Sequence, residues 1–236
     1  MKKITSVLFL FYCFSVGWAQ TVPPCTLEIT DAETFARDWT VIDVNSDVSA
    51  NTWAYNDGNA MYMQDKSNAA DDWLIAPAVP LEAGKAYKVS AYVKHSSTFG
   101  SDKQKIELKI GTAPTVEGLT TRLVYDESFQ SRLFVEKSGT FSPAESGVFY
   151  VGLRCYSESY NGDLYFQKIV IEEAPVYPAQ ITDLSIVAGE RGAMSATLSW
   201  TWPSSDHLGG ALSNLLGAKI YRGTDLVATL DTANVG

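Results

Sequence analysis

Apolar and polar residues alternate with a period of two along much of the chain, which is the pattern of strands with one face buried. The segments with this alternation are residues 85–95, 105–111, 132–141, 147–156 and 164–173. Gly, Pro, Asn, Asp and Ser, which favour turns, stand between these segments. The pattern predicts an all-β protein built as a β-sandwich.

One short stretch departs from the strand pattern. Residues 31–39 (DAETFARDW) begin with Asp31, a good N-cap, and continue with residues that tolerate a helix. The stretch is too short to change the fold class. We therefore expect one brief helix beside the sheets.

Residues 174–180 (APVYPAQ) contain two prolines and no strong alternation, so this segment is predicted to be a linker between domains. New strand patterns follow at residues 181–188, 194–202, 217–223 and 225–230. The expected organisation is a first domain over residues 20–174 and a second, incomplete sandwich over residues 175–236.

The N-terminus has the features of a secretory signal. Lys2 and Lys3 precede an apolar stretch at residues 7–16, and Gly17, Trp18 and Ala19 offer a small-x-small cleavage site. The predicted signal peptide is residues 1–19, with cleavage after Ala19. The apolar run is too short for a membrane span, and the mature chain is expected in an oxidising compartment.

Composition excludes several classes of function. The 236 residues include 18 Lys and Arg against 27 Asp and Glu, so a net charge of −9 disfavours nucleic acid as a partner. There are two histidines, and the motifs of serine hydrolases, zinc proteases and phosphate-binding loops are missing. Adjacent acids such as Asp71 and Asp72 point to opposite faces of a strand and cannot flank one substrate. The sequence therefore predicts no enzyme.

Two cysteines remain after signal removal, and their state is open at this point. Cys25 and Cys155 make an even pair, which permits a disulfide in a secreted protein. Alternatively, Cys155 alternates with Val151 and Leu153 on one face of a strand, where a cysteine behaves as a small core residue.

A loop near residue 45 contains the candidate metal ligands. Asp43, Asn45 and Asp47 place oxygen side chains at every second position, a donor set that suits calcium. The glycine and the bidentate glutamate of an EF-hand are missing, however. The alternative is an ordinary turn in which Asp and Asn accept hydrogen bonds from their own backbone.

Aromatic residues supply the candidate ligand-binding surface. Trp53 and Tyr55, with Tyr62 and Trp73 further along, are candidates for a platform that stacks on sugar rings. Trp73 precedes Leu74 and Ile75, so we expect it in the core. Large aromatic residues in sandwiches more often pack than bind, and this alternative also applies to Trp53.

Four segments carry a resemblance to a known family. They are VIDVNSDVSANTWAY (41–55), DDWLIAPAVPLEAGKAYKVSAY (71–92), GVFYVGLRCYSES (147–159) and LYFQKIVIEE (164–173). In this order they resemble choice-of-anchor J domains of Bacteroidota surface proteins and the related cleaved adhesin domains of gingipains. The resemblance covers residues 26–174 and implies a jelly-roll β-sandwich that is often associated with adhesion and, in related modules, with calcium.

The second segment resembles the first half of a fibronectin type III domain. The matching stretches are PAQITDLSIVAG, ATLSWTWP with Trp200 as the core tryptophan, and AKIYRGTDLVATL. A complete domain of this type has about seven strands. We therefore expect the sequence to be a fragment of a longer protein.

These observations favour a secreted or outer-membrane cell-surface binding module without catalytic activity, whose partner is a glycan or a host or matrix protein. Two alternatives remain open from sequence. The chain is either an accessory segment of an exported hydrolase with its catalytic domain beyond residue 236, or a structural spacer.

Overall fold

The computed structural model describes residues 22–46, 52–63, 67–97, 101–192, 194–207, 209–212 and 215–231. The signal sequence predicted over residues 1–19 lies outside these ranges. Within them, no helix is long and apolar enough to cross a membrane.

The described chain is nearly all β. Its elements in chain order are β1 (Cys25–Glu28), α1 (Ala32–Asp38), β2 (Thr40–Asp43), β3 (Trp53–Asn56), β4 (Asn59–Tyr62), β5 (Asp72–Ile75), β6 (Val79–Leu81), β7 (Tyr87–His95), β8 (Gln104–Gly111), β9 (Thr121–Phe129), β10 (Val135–Phe141), β11 (Gly147–Cys155), β12 (Leu164–Glu173), β13 (Ser185–Ala188), β14 (Ala196–Ser199), β15 (Gly217–Arg222) and β16 (Asp225–Asp231). All five strands predicted before residue 174 are present. The short strands β1 to β6 and the longer strand β9 fall outside the predicted segments; in β9 the residues TRLVYDESF do not alternate cleanly, and its pairing with β8 contains two register shifts.

Two six-stranded antiparallel sheets make up the first domain. Sheet A has the order β10-β7-β12-β4-β3, with β1 also paired to β12. Sheet B has the order β2-β5-β11-β8-β9, with β6 also paired to β11. Most neighbours in each sheet are distant in sequence, as in a jelly roll. The predicted jelly-roll β-sandwich is therefore confirmed.

The core lies between the two sheets. From sheet A, β7 contributes Val89, Ala91 and Val93, all fully buried. From sheet B, β11 contributes Val151 and Leu153, and the remaining strands add their own alternate residues. Full burial of one such valine or leucine side chain contributes about 1.5–3 kcal/mol. The apolar residues that recur at every second position in the sequence thus form the inner face of each sheet.

The predicted helix forms at the expected place. The Asp31 carboxylate accepts a hydrogen bond from the backbone N–H of Thr34 at 2.7 Å, which caps α1. The helix ends where Trp39 enters the core and packs edge-on against Phe166, with ring centroids 5.2 Å apart.

Beyond residue 180 the described strands form two separate hairpins, β13 with β14 and β15 with β16. Their apolar side chains are largely exposed; Ile186 is 64% exposed and Val227 61%. The four strands match those expected from sequence; β13, β14 and β15 are shorter than the predicted segments, and β16 extends one residue further, to Asp231. The resemblance of this segment to a fibronectin type III domain and the boundary at residue 174 stay predictions.

A second, smaller apolar cluster lies on the outer face of sheet B. Trp73, Ile75 and Leu119 are buried there, with Tyr150 packed against them. Leu119 comes from the loop at residues 112–120, which crosses this face. Leu119 lies so close to strand β11 that position 152 has room only for a glycine. A Cβ on Gly152 would collide with Leu119 Cδ1 and lie 3.1 Å from Trp73 Cε3.

We therefore expect Gly152→Ala to destabilise the domain by about 1–3 kcal/mol, since the added methyl overpacks this cluster. Thermal or urea unfolding measures the change. Gly147→Ala, on the same strand, is the matched control, because the nearest atom to its Cβ would be Phe149 Cε2 at 3.8 Å. Equal stability of the two variants would contradict the packing described for the loop at residues 112–120.

Candidate functional site

The strongest concentration of polar and aromatic side chains in the described chain is the outer face of sheet B. Strand register aligns four residues across four strands: Trp73 on β5 is paired with Arg154 on β11, Arg154 with Glu107 on β8, and Glu107 with Tyr125 on β9. We call these four residues the cross-strand row. Because their sequence neighbours Leu74, Leu153 and Leu108 are buried in the core, the row lies on the opposite face.

Arg154 is the centre of this row. Its Nε and Nη2 donate to the two carboxylate oxygens of Asp71 at 2.7 and 2.9 Å, and its Nη1 donates to Glu107 Oε2 at 3.4 Å. The hydrogen bonds to Asp71 are the main cause that raises the pKa of the guanidinium. A bidentate guanidinium–carboxylate pair is both strong and geometrically specific, so the two side chains hold each other in place.

Glu107 is a charged residue that is only 5% exposed. Besides Arg154, Lys109 Nζ lies 3.6 Å and Arg122 Nη1 lies 3.8 Å from Glu107 Oε1. A buried carboxylate is tolerated only where cations and hydrogen bonds compensate for lost hydration. The three cations therefore explain how Glu107 remains beneath this surface.

Two tyrosines extend the site toward β9. The rings of Tyr125 and Tyr156 are 6.0 Å apart and inclined by 23°, so they stack. Arg122 lies over Tyr125 at 4.7 Å from its centroid, and Arg154 lies over Tyr156 at 5.0 Å. Tyr125 is 52% exposed, and its hydroxyl donates to Glu127 at 2.7 Å.

Trp73 Nε1 is buried at this face without a hydrogen-bond partner among the described residues. Burial also raises the pKa of Tyr156, because the phenolate would lose its hydration. Unsatisfied buried polar atoms are rare in folded proteins. The exposed ring of Tyr125, stacked on Tyr156 and beside the Arg122 guanidinium, makes this surface a candidate for ligand contacts.

The residues expected to form an aromatic platform are placed differently. Trp53 is 2% exposed and packs against Tyr62, with its indole N–H donating to the Asp72 carbonyl at 3.3 Å. Tyr55 is half-buried and also packs against the core. Residues two apart on β3 share one face, and here that face is the inner one. Trp53 is therefore a core residue, which corrects the expectation that its ring stacks on a ligand.

Trp73 is buried, as expected, although in the outer cluster rather than between the sheets. The adjacent acids also separate as predicted, since Asp71 lies beside Arg154 on the surface and Asp72 is fully buried.

The candidate calcium loop is only partly described. Asp43 accepts a hydrogen bond from the backbone N–H of Ser46 at 2.7 Å, and Asn45 donates from its amide to the Ala69 carbonyl at 2.7 Å. Asp47 lies outside the described residues. In the part of the chain that the structure covers, no group of three or more His, Cys, Asp or Glu residues could hold a metal ion. Calcium binding stays a prediction.

Both mature cysteines are free and buried. Cys25 lies on β1 in sheet A and Cys155 lies on β11 in sheet B. Both are therefore core residues and do not form a disulfide with each other. The Cys155 thiol donates to Gln104 Oε1 at 3.3 Å, and burial raises its pKa to about 12.

The functional candidates that the sequence did not single out are Arg122, Tyr125, Arg154 and Tyr156. The sequence pattern could have indicated two of them. Arg154 and Tyr156 alternate with the buried residues Leu153 and Cys155 at the end of β11, so they are expected on the outer face. Nothing local links them to Tyr125 or to Glu107, which lie about 30 and 47 positions earlier in the chain.

No family model and no curated protein matches this chain. Among solved structures it is similar to the K3 cleaved adhesin domain of Lys-gingipain from Porphyromonas gingivalis, at 11% identity and a TM-score of 0.47 over 62% of this chain and 98% of that one. It is also similar to the K1 domain of the same protein, at 14% identity and a TM-score of 0.45 over 64% and 99% of the two chains.

A further similar structure is the C-terminal CBM6 of LamC, a marine laminarinase from Zobellia galactanivorans, at 16% identity and a TM-score of 0.36 over 63% and 99%. The choice-of-anchor J resemblance stays a prediction.

The calcium prediction has a direct test in thermal melts. If Asp43 and Asp47 hold the ion, millimolar calcium raises the melting temperature relative to chelator, since binding only the folded state stabilises it. The double variant Asp43→Ala with Asp47→Ala then loses the rise, whereas Glu145→Ala, in an exposed loop, keeps it. Coincident melts of the unsubstituted chain in calcium and chelator would leave Asp43 as a turn residue only.

The cysteine assignment predicts that Cys25 and Cys155 resist a thiol reagent at pH 8 in the folded protein and both react after denaturation. Burial and the raised pKa of each thiol keep the reactive thiolate scarce. Peptide mapping of the labelled chain identifies the sites. A Cys25–Cys155 disulfide in the unreduced sample would contradict the assignment.

Proposed function

We propose that this protein is a non-catalytic binding module that recognises a glycan through the outer face of sheet B. The observation that carries the proposal is a pair of stacked rings at one end of the cross-strand row, that of half-exposed Tyr125 and that of the more buried Tyr156, beside fixed guanidinium and carboxylate groups.

The chemistry of this face matches that of a sugar. A pyranose ring presents C–H groups that pack on aromatic rings and hydroxyls that both donate and accept hydrogen bonds. Glu127 offers a carboxylate acceptor, and Arg122 offers guanidinium N–H donors beside Tyr125. An aromatic surface beside both hydrogen-bond donors and hydrogen-bond acceptors favours a hydroxylated ligand over an apolar one.

The face is also held in place before any ligand binds. Arg154 is fixed by two hydrogen bonds to Asp71 and contacts Glu107, and its strand β11 is paired with β5 on one side and β8 on the other. A rigid site loses less conformational entropy on binding. This arrangement supports recognition by a surface that does not rearrange.

The same geometry argues against glycoside hydrolysis here. A glycosidase needs one carboxyl group that donates a proton and a second that acts as base or nucleophile across the scissile bond. Asp71 and Glu107 are instead both engaged by the guanidinium of Arg154. Such a network orients side chains and contributes to binding.

The signal peptide predicted over residues 1–19 supports a secreted or cell-surface location. The sequence resemblance to cleaved adhesin domains supports a role in attachment, with a glycan of a host or of an extracellular matrix as partner. The net charge of −9 supports the exclusion of nucleic acid.

Tyr125→Ala is expected to weaken glycan binding by about tenfold or more, since truncation of a central aromatic residue typically costs 1–2 kcal/mol or more. A glycan array identifies the ligand and calorimetry measures its Kd. Tyr92→Ala is the matched control, because Tyr92 lies on the outer face of sheet A, next to Lys168.

Control and site variants should have the same melting temperature as the unsubstituted chain to within a few degrees. Unchanged affinity in Tyr125→Ala, or the absence of binding to every glycan by the unsubstituted chain, would refute the proposal.

A further inference from the structure

A cavity of about 540 Å³ opens at the end of the sandwich beside α1. One wall is formed by β1 and α1, and the other by residues 76–78, Pro114 and Tyr150. Its volume lies in the range of small-molecule sites, about 300–1,000 Å³. None of its lining residues belongs to the cross-strand row.

The floor of the cavity is apolar and rigid. Leu27, Trp39 and Ala76 are buried in the core, and Trp39 is fixed by its edge-on contact with Phe166. Pro77 and Pro114 add two residues with restricted backbones. A ligand therefore meets a preformed apolar surface.

The rim of the cavity is polar. Arg37 Nε and Nη2 donate to the two oxygens of Asp38, each at 2.8 Å, and these hydrogen bonds are the main cause that lowers the pKa of Asp38. Asp38 therefore presents an ionised carboxylate to hydroxyl donors. Thr26 and Thr40 also line the cavity, whereas the hydroxyl of Thr34, a third lining residue, donates to Asp31 at 2.8 Å.

Charge narrows the class of ligand. The lining contains one cation, Arg37, against two carboxylates, Asp38 and Glu28, so it does not attract an anion. A wholly apolar ligand would leave the paired charges at the rim without water. A neutral ligand with an apolar face and several hydroxyl groups can pack on the apolar floor and form hydrogen bonds with the polar rim.

We propose that this cavity is a second binding site, which takes the end of a neutral sugar chain. The cavity adjoins the outer cluster, since Tyr150 lines it and packs against Trp73 and Leu119, but neither Tyr125 nor any other member of the cross-strand row lines it. The cavity and the face of sheet B are thus two sites on one domain, and the cavity does not depend on the glycan proposed for sheet B.

The test uses the full chain and four neutral probes: methyl β-glucoside, methyl β-galactoside, methyl α-mannoside and xylose, with glucuronate as the charged counterpart. Saturation-transfer NMR detects binding, and titration gives Kd. Arg37→Met is expected to weaken binding about tenfold, since it removes a charged hydrogen-bond donor and leaves the Asp38 carboxylate without its partner. Thr40→Val removes one rim hydroxyl with little change of shape and is expected to weaken binding by a smaller factor.

Two controls separate the sites. Arg132→Met removes an exposed guanidinium elsewhere and should leave Kd unchanged, and Tyr125→Ala should also leave it unchanged, although it disrupts the site proposed on sheet B. Saturable binding that Arg37→Met weakens and Tyr125→Ala spares supports the second site. The proposal is overturned if no neutral probe saturates, if Arg37→Met and Thr40→Val both bind like the unsubstituted chain, if Tyr125→Ala abolishes binding, or if glucuronate binds more tightly than the neutral probes.

Discussion

The packing of two antiparallel sheets against each other is the constraint on which the rest of this structure depends. Each long strand gives every second side chain to the shared core, so that Val89, Val93, Val151 and Leu153 fill one interior. The intervening side chains lie on the two outer faces, where the packing between the sheets does not restrict which residue occupies a position. Binding surfaces can develop there without loss of the core. The Arg154 side chain is available for ion pairing because its neighbours Leu153 and Cys155 are committed to the interior.

The outer face of sheet B differs from an ordinary solvated surface because it contains a second layer of burial. Leu119 covers Trp73 at one side, and Arg154 and Lys109 lie over the same ring at 5.7 and 5.4 Å from its centroid. Charges in such a partly dry layer interact more strongly than in water, provided that each has a partner. Asp71, Arg154 and Glu107 meet this condition as one network. The network explains why a charged surface can remain rigid enough to recognise a shape.

The loop at residues 112–120 contributes residues to both proposed sites. It crosses the outer face of sheet B, packs Leu119 against Trp73, and contributes Pro114 to the cavity beside α1. Its close approach is possible because Gly111, Gly118 and Gly152 have no side chain at the contact. Two weak sites on one rigid domain increase the overall affinity for a ligand that can reach both, without any new contact. A surface glycan with several chain ends is a ligand of that kind.

The sequence by itself determined the all-β class, the five main strands before residue 174, the capped helix at Asp31 and the burial of Trp73, because each follows from a period or a contact within a few residues. The sequence could not determine whether the face of β3 that carries Trp53 and Tyr55 points into the core or into solvent, because aromatic residues occur in both places. Trp53 and Tyr55 were therefore placed on a ligand platform, whereas β3 turns both toward the core. Only the tertiary structure aligned Trp73, Arg154, Glu107 and Tyr125 in one row, since the register between strands far apart in the chain depends on hydrogen bonding and core packing that no local pattern encodes.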